Sequence, residues 1–182
     1  MVQIKEVLRE RLTLSRYEHV LRVAELAKVI AKRYGVSEQD AEQAALYHDI
    51  AKCMDKETLR ELLKETGADK RLFHFHHELW HGPVGAMIAE REFGVKNPDV
   101  LNAVRYHTTG RAGMSSLEKV IFIADLIEPG RIFPGVELLK EKANEDLDEA
   151  MAACIRHSIS YLVTRKAAVF PDSFECYNEY MG

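Results

Sequence analysis

The sequence predicts an all-α fold, a helical bundle with its chemistry held between helices, and three observations carry that expectation. Apolar residues recur at helical spacing along most of the chain. Capping residues and Gly or Pro stops fall at the ends of those periodic runs. Sustained two-residue alternation, the mark of a half-buried strand, appears nowhere; Val169-Phe170-Pro171 is too short to count as one.

The elements follow in order. From Ser15 to Tyr34, residues His19, Val23, Leu26, Ala27 and Ile30 share one helical face, and Gly35 stops the run. Ser37 is a good N-cap, with Asp40 in the first turn, for a helix through Ala41, Ala44, Ala45, His48 and Ala51. Asp55 caps a short helix carrying Leu59, Leu62 and Leu63, which ends near Gly67. Gly82-Pro83 opens the next and Gly94 closes it. Asn97-Pro98 opens another, with Val100, Leu101 and Val104 leading to His107 and a stop at Gly110. Ser115 with Glu118 forms a capping box for a helix that turns Leu117, Val120, Ile121 and Ala124 inward and ends at Pro129-Gly130. A longer helix runs from about Leu147 to Arg165, and a short one follows Pro171-Asp172.

Composition excludes several function classes. The 182 residues fit one domain, 1–182, with 47% hydrophobic and 30% charged residues, near globular averages. A net charge of −4 argues against a nucleic-acid surface, which carries a basic stripe. No apolar run reaches the roughly 20 residues that a membrane helix needs. The start, MVQIKEVLRERL, mixes charge throughout and lacks the apolar stretch of a signal peptide. Cys53, Cys154 and Cys176 are far apart and form no Cys-x-x-Cys pair, so they read as free thiols in a reducing cytosol. A cytoplasmic location is the expectation, with no membrane or nucleic-acid partner.

Eight histidines are present, and position decides what they mean. His48 and Asp49 are adjacent, at the edge of an alanine-rich face that another helix can approach closely. His19 lies on the apolar face of the preceding helix, and Asp125 borders the apolar stripe of a later one. Two imidazoles and two carboxylates from three helices would make a site suited to iron, manganese, zinc or magnesium. Taken singly, each residue has a plainer reading: His19 as a satisfied core histidine, Asp125 as a solvated carboxylate at a helix end. Jointly they point to a metal, because an ionised Asp beside an apolar stripe needs a partner to offset its desolvation.

The order His19, His48-Asp49, Asp125 resembles the H…HD…D signature of the HD superfamily of metal-dependent phosphohydrolases, and within it the YqeK family of symmetrical bis(5′-nucleosyl)-tetraphosphatases. The matching stretches are RYEHVLRVAELA (Arg16 to Ala27), HDIAK (His48 to Lys52), HGPVGA (His81 to Ala86), RYHTTGRAGMSSLEKVIFIADLIEPGR (Arg105 to Arg131) and FPGVE (Phe133 to Glu137). The resemblance implies one HD-type domain with a two-metal site, di-iron in kind. His19, His48, Asp49 and Asp125 would hold the first ion, with Asp49 bridging, and His81 and His107 would complete the second. It also implies symmetrical cleavage of diadenosine tetraphosphate to two ADP by a metal-bridging hydroxide, with His81 a candidate general acid. A nucleotide is then the partner, and no residue argues for or against a homodimer.

Lys52 lies one turn beyond His48 and can reach a phosphate from the same face. Thr108, Thr109 and Arg111 group hydroxyls, backbone N–H donors and a guanidinium, and Arg131 follows Pro129-Gly130. With His81 and His107 beside the phosphates, these are the candidate nucleotide contacts. Phe133 and Phe170, each beside a proline, are candidates to stack on a base, with core or lid packing the plainer reading. Other readings remain open: an HD phosphohydrolase acting on a nucleoside monophosphate or cyclic dinucleotide, or a metal or nucleotide sensor without turnover. His77-Glu78-Leu79-Trp80-His81 also matches the zincin pattern H-E-x-x-H, although Gly82-Pro83 argues against a helix through both histidines.

Overall fold

The computed structural model describes residues 2–181, and among these it contains ten α-helices and no strand. The helices are α1 (Val2–Arg11), α2 (Leu14–Arg33), α3 (Glu38–Tyr47), α4 (Lys56–Glu65), α5 (His81–Phe93), α6 (Pro98–Tyr106), α7 (Ser116–Ile127), α8 (Val136–Glu145), α9 (Leu147–Thr164) and α10 (Pro171–Glu179). Two 3-10 turns, Lys70–His74 and His77–Leu79, lie between α4 and α5.

The capping residues act as expected. Ser37 accepts from Asp40 N, Asp55 from Glu57 N and Thr58 N, and Asn97 from Asp99 N. At the start of α7 the capping box is complete in both directions. Gly94, at φ +68°, closes α5 by donating its N–H to the carbonyls of Ala89 and Glu90.

The structure departs from expectation in three places. The N-terminal segment forms α1, whose Ile4 and Leu8 are buried one helical turn apart, with Leu12 just beyond it. A further helix, α8, follows Gly135 and buries Val136, Leu139 and Ala143. Lastly, α3 stops at Tyr47 and does not run on to Ala51; His48 is its C-cap and Asp49 lies in the turns beyond. That early stop leaves the carbonyl of Ala45 free.

The core forms around α7, which packs against α2, α3, α6, α8 and α9. It suits that place because it is apolar almost all round: Leu117, Val120, Ile121, Phe122, Ile123, Ala124 and Ile127 are all buried. Ala41, Ala44 and Ala45 are fully buried on α3, and their small size lets α3 lie close to α2. Helices α5 and α6 meet more tightly still. A Cβ on Gly82 would sit 2.6 Å from the carbonyl oxygen of Arg105, whereas one on Gly85 would meet nothing nearer than 3.4 Å.

Gly82→Ala is therefore expected to destabilise the protein by about 1–3 kcal/mol, because the clash is with backbone. Gly85→Ala should be near neutral or slightly stabilising, since alanine is the better helix former. Thermal melts of the two variants check this, and equal melting temperatures would show that α5 and α6 can move apart freely.

Candidate metal centre

Four imidazoles and two carboxylates converge where α2, α3, α5, α6 and α7 meet. Three of the histidines sit at helix ends, where carbonyls are free of intrahelical bonds. His48 Nδ1 lies 2.6 Å from Ala45 O, His81 Nδ1 2.5 Å from Glu78 O, and His107 Nδ1 2.7 Å from Val104 O. A carbonyl can only accept, so each Nδ1 carries a proton, and in the neutral ring each Nε2 is left with a lone pair. The backbone has chosen the tautomer. His19 reaches the same state by another route: its Nδ1 donates to Glu128 Oε1 at 3.0 Å.

All four Nε2 atoms turn toward Asp49, which is 2% exposed. Its Oδ2 lies 3.4 Å from His48 Nε2 and 3.7 Å from His19 Nε2; its Oδ1 lies 3.1 Å from His81 Nε2 and 3.7 Å from His107 Nε2. Asp125 completes the group, with Oδ1 3.0 Å from His19 Nε2 and 3.9 Å from His48 Nε2. Despite these short distances, His19 Nε2 and His48 Nε2 are buried without an aligned hydrogen bond. His81 Nε2 and His107 Nε2 face each other at 3.0 Å, lone pair toward lone pair. Such a set repels itself unless a cation lies among its members.

Burial and charge act differently on the members of the cluster. Burial drives the His81 pKa down to about 4, so its ring is neutral near pH 7. Burial opposes ionisation of Asp49, yet the His48 charge and the surrounding imidazoles outweigh it and hold the carboxyl well below the ordinary range. Burial would likewise lower His48, but the charges of Asp49 and Asp125 leave it above its usual value. The ligand atoms of His19, His48 and Asp125 lie within 4.8 Å of one another, as do those of His48, Asp49 and His107. Imidazoles and ionised carboxylates at that spacing fit divalent transition metals, which compete with the proton that the carboxylates favour on His48.

One expected role does not survive. His81 was the candidate general acid, but its only ring proton is on Nδ1 and donated to Glu78 O, and its Nε2 faces the cluster as a lone pair. It has no proton to offer a leaving group.

The candidate nucleotide contacts divide. Arg131 reaches the cluster, with Nη2 2.9 Å from Asp125 Oδ1 and Nε 3.0 Å from Asp125 O. Lys52 lines a small cleft with His77 and His81 and is ion-paired to Glu78. Arg111 is not brought into contact with the cluster: it clasps the fully buried Glu118 at 2.8 and 2.9 Å, and its guanidinium lies over the Tyr106 ring. Thr109 is buried, and Thr108 Oγ1 is enclosed without a partner. Phe133 stacks on His157 with ring centroids 4.6 Å apart. Phe170 is 3% exposed, packs edge-on against Phe75, and forms one wall of a cavity of about 160 Å³ with Tyr106, Thr109 and Asp172.

The zincin alternative fails on geometry. His77 lies in a 3-10 turn and His81 in α5, so no helix aligns them, and Glu78 is engaged by Lys52. His74 and His76 are exposed on the adjoining turn.

Three site residues escaped the sequence reading. Arg16 donates to Asp49 Oδ2 at 3.0 Å, and Arg22 clasps Glu128 at 2.6 and 3.3 Å. Glu128 is 2% exposed, and its carboxyl is held down at about 2 although burial opposes this, because Arg22, His19 and the Gly130 N–H all donate to it. Two signals were available. Arg16 lies one turn before His19 on the same helix, and a glutamate at a helix C-terminus opposes the helix dipole and so needs a partner.

Residues 16–130 match the HD domain family. The chain belongs to that family. This HD-domain protein is 42% identical over 170 residues to a Bacillus subtilis protein named bis(5′-nucleosyl)-tetraphosphatase, symmetrical, covering 93% of this chain and 91% of the relative. A Staphylococcus aureus protein of the same name is 36% identical, covering 97% of this chain and 92% of the relative. Among solved structures, a Clostridium acetobutylicum protein described as an HD superfamily hydrolase involved in NAD metabolism superposes with a TM-score of 0.94 at 35% identity, covering 98% of this chain and 95% of that one. Among the described residues of this HD-domain protein, no helix is long and apolar enough to cross a membrane.

If the convergent donors hold metal, Asp49→Ala must lose it while the helices persist. The expected outcome is a fall from wild-type metal content to less than about a tenth, since one carboxylate serves both halves of the cluster. Elemental analysis with far-ultraviolet circular dichroism reads both quantities, and wild-type metal content in the variant would contradict the assignment.

Proposed function

We propose that this chain is a metal-dependent hydrolase that cleaves diadenosine tetraphosphate symmetrically into two ADP, with iron as its resident metal. The observation that carries the reading is Asp49, whose two oxygens face two different histidine pairs at the junction of two basic clefts. Oδ2 faces His19 and His48, beside a cleft lined by Arg16, Arg22 and Arg131. Oδ1 faces His81 and His107, beside the cleft of Lys52, Lys56 and His77. A carboxylate so placed would serve both halves of the cluster. Cationic groups on either side suit a polyphosphate laid across them with its middle at the centre. The names of the curated relatives agree with that substrate.

In this reading His19, His48, Asp49 and Asp125 hold one ion, and Asp49, His81 and His107 the other. When bound, paired divalent ions supply Lewis acidity at phosphoryl oxygens and lower the pKa of water. The protein supplies position and charge. Arg16 and Arg131 are already aimed at Asp49 and Asp125, so their remaining N–H donors are pre-oriented for phosphate oxygens on one side of the bond to be broken. Lys52 is available on the other, exchanging its exposed partner Glu78 for phosphate. Glu118 fixes Arg111 and with it the turn that follows His107, in which Thr108 Oγ1 is left without a protein partner. The cavity beside Phe170 has room for a flat ring. No protein acid is required, because ADP leaves as a stable anion.

The direct test is product analysis with diadenosine tetraphosphate and Fe²⁺ or Mn²⁺. Two ADP per substrate supports the proposal. ATP with AMP, or turnover only of nucleoside monophosphates, would show that the clefts hold a different substrate.

Removing a phosphate contact separates binding from chemistry. Arg131→Ala and Lys52→Ala are each expected to lower kcat/KM about 10- to 100-fold, the range for losing a charge-assisted hydrogen bond. Steady-state kinetics measure it, and unchanged constants in both would refute this placement of the polyphosphate.

Activity should also fall as pH drops through the imidazole range, because protons compete with metal for the Nε2 lone pairs. A pH–rate profile at fixed, limiting metal checks this; added metal should move the acid limb to lower pH.

A further inference from the structure

Three of the four clustered imidazoles are oriented by backbone, and one is not. His48, His81 and His107 each donate Nδ1–H to the carbonyl three residues before them, available because a helix starts or stops there. His19 has no such carbonyl, since it lies inside α2, in its second turn, where the carbonyls of the preceding turn are taken by the helix itself. Its Nδ1 instead meets Glu128 Oε1 at 3.0 Å, from the residue that ends α7. Asp125 Oδ1 lies 3.0 Å from the other nitrogen but without an aligned hydrogen bond, so the aligned acceptor on this ring is Glu128.

Glu128 is held as firmly as it holds. Arg22 Nε lies 2.6 Å from Oε2 and Arg22 Nη2 3.3 Å from Oε1, while Gly130 N donates to Oε2 at 2.6 Å. Gly130 is part of the same arrangement, because a Cβ there would come within 2.7–2.9 Å of the Arg22 guanidinium. Arg22 itself lies three residues after His19, one turn along α2. Asp125, three residues before Glu128, presents its carboxylate to the other side of the same imidazole, with Oδ1 3.0 Å from Nε2. One turn of α7 and its end thus bracket His19 from both ring nitrogens.

We propose that Glu128 is a positioning residue for the metal centre: it fixes His19 in the Nδ1–H tautomer, aims the Nε2 lone pair at the ion shared with His48 and Asp125, and strengthens that ligand by its negative charge. The proposal rests on the assignment of His19 as a ligand. A carboxylate behind a ligating imidazole sets ring orientation and raises ligand basicity, and losing one weakens metal binding by about 10- to 100-fold. The effect is specific to one half of the cluster, since His81 and His107 keep their carbonyl partners whatever stands at position 128.

The test uses the full-length, metal-free protein and two readouts that do not depend on turnover. The first is competition titration of Mn²⁺ and Zn²⁺ against a chromophoric chelator; the second is the ¹H–¹⁵N long-range spectrum of the imidazoles, which reports tautomers. In Glu128→Leu, similar in volume but without an acceptor, one of the two ions should bind about 10- to 100-fold more weakly while the other is little changed. The His19 resonance should move to the Nε2–H tautomer. Glu128→Gln keeps an acceptor but not the charge; should the leucine variant fail to fold, a loss of about tenfold in this one is the expected result. A purely structural link between α2 and α7 would lower the melting temperature of these variants and leave metal affinity and tautomer as in the wild type. That outcome overturns the proposal. Wild-type protein that binds neither ion would overturn the ligand assignment as well, and so is distinguishable from failure of the Glu128 role alone.

Discussion

The constraint on which the rest of this structure depends is a carboxylate, Asp49, buried against four imidazole nitrogens that present lone pairs. An ion of that kind withdrawn from water costs several kcal/mol unless opposite charge lies beside it. Arg16 supplies part of that charge from one side only. A divalent cation among the nitrogens would meet the remainder, and outward-drawn ring protons would suit its need for neutral imidazole. The centre is arranged so that the fold, not the ion, decides the ligand state.

This arrangement accounts for where helices begin and end. A histidine inside a helix finds its neighbouring carbonyls occupied, whereas one at a terminus can bind a carbonyl that the helix has released. α3 ends at His48, α6 ends at His107 and α5 begins at His81, so three element ends meet at one point. The close contact of α5 with α6 through Gly82 brings His81 and His107 to facing positions. α7, apolar almost all round, brings Asp125 and Glu128 to the same place from the core side. Packing and chemistry share these elements, so a substitution that parts α5 from α6 reaches the centre without touching a ligand.

Around the centre, ion pairs hold the cationic side chains in place. Arg131 rests on Asp125 and Lys52 on Glu78, in clefts open to solvent. The Lys52 pair, on the half-exposed Glu78, is worth little in itself, whereas Asp125 is mostly buried and holds Arg131 more firmly. Arg111 differs, because its partner Glu118 is fully buried and also completes the capping box of α7. It holds the loop after His107 rather than reaching outward, a distinction that residue type does not reveal.

By itself the sequence determined the helical class, most element boundaries and several of the residues that the fold brings together. Caps at Ser37, Asp55, Asn97 and Ser115 are local, made within three residues, and so are readable without tertiary information. His19, His48, Asp49 and Asp125 were legible jointly, as polar groups on or beside apolar faces that had to share a partner. The tertiary structure decided what depends on contacts across the chain. α1 and α8 each bury only a few apolar residues, α1 against α2 and α8 against α7 and α9, and periodicity in a short charged segment does not disclose that. The true end of α3 is set by competition between the helix and the His48 ring for the Ala45 carbonyl. Arg16 and Glu128 meet residues 33 and 109 positions away, and only the folded chain shows that a glutamate closing one helix meets a histidine inside another.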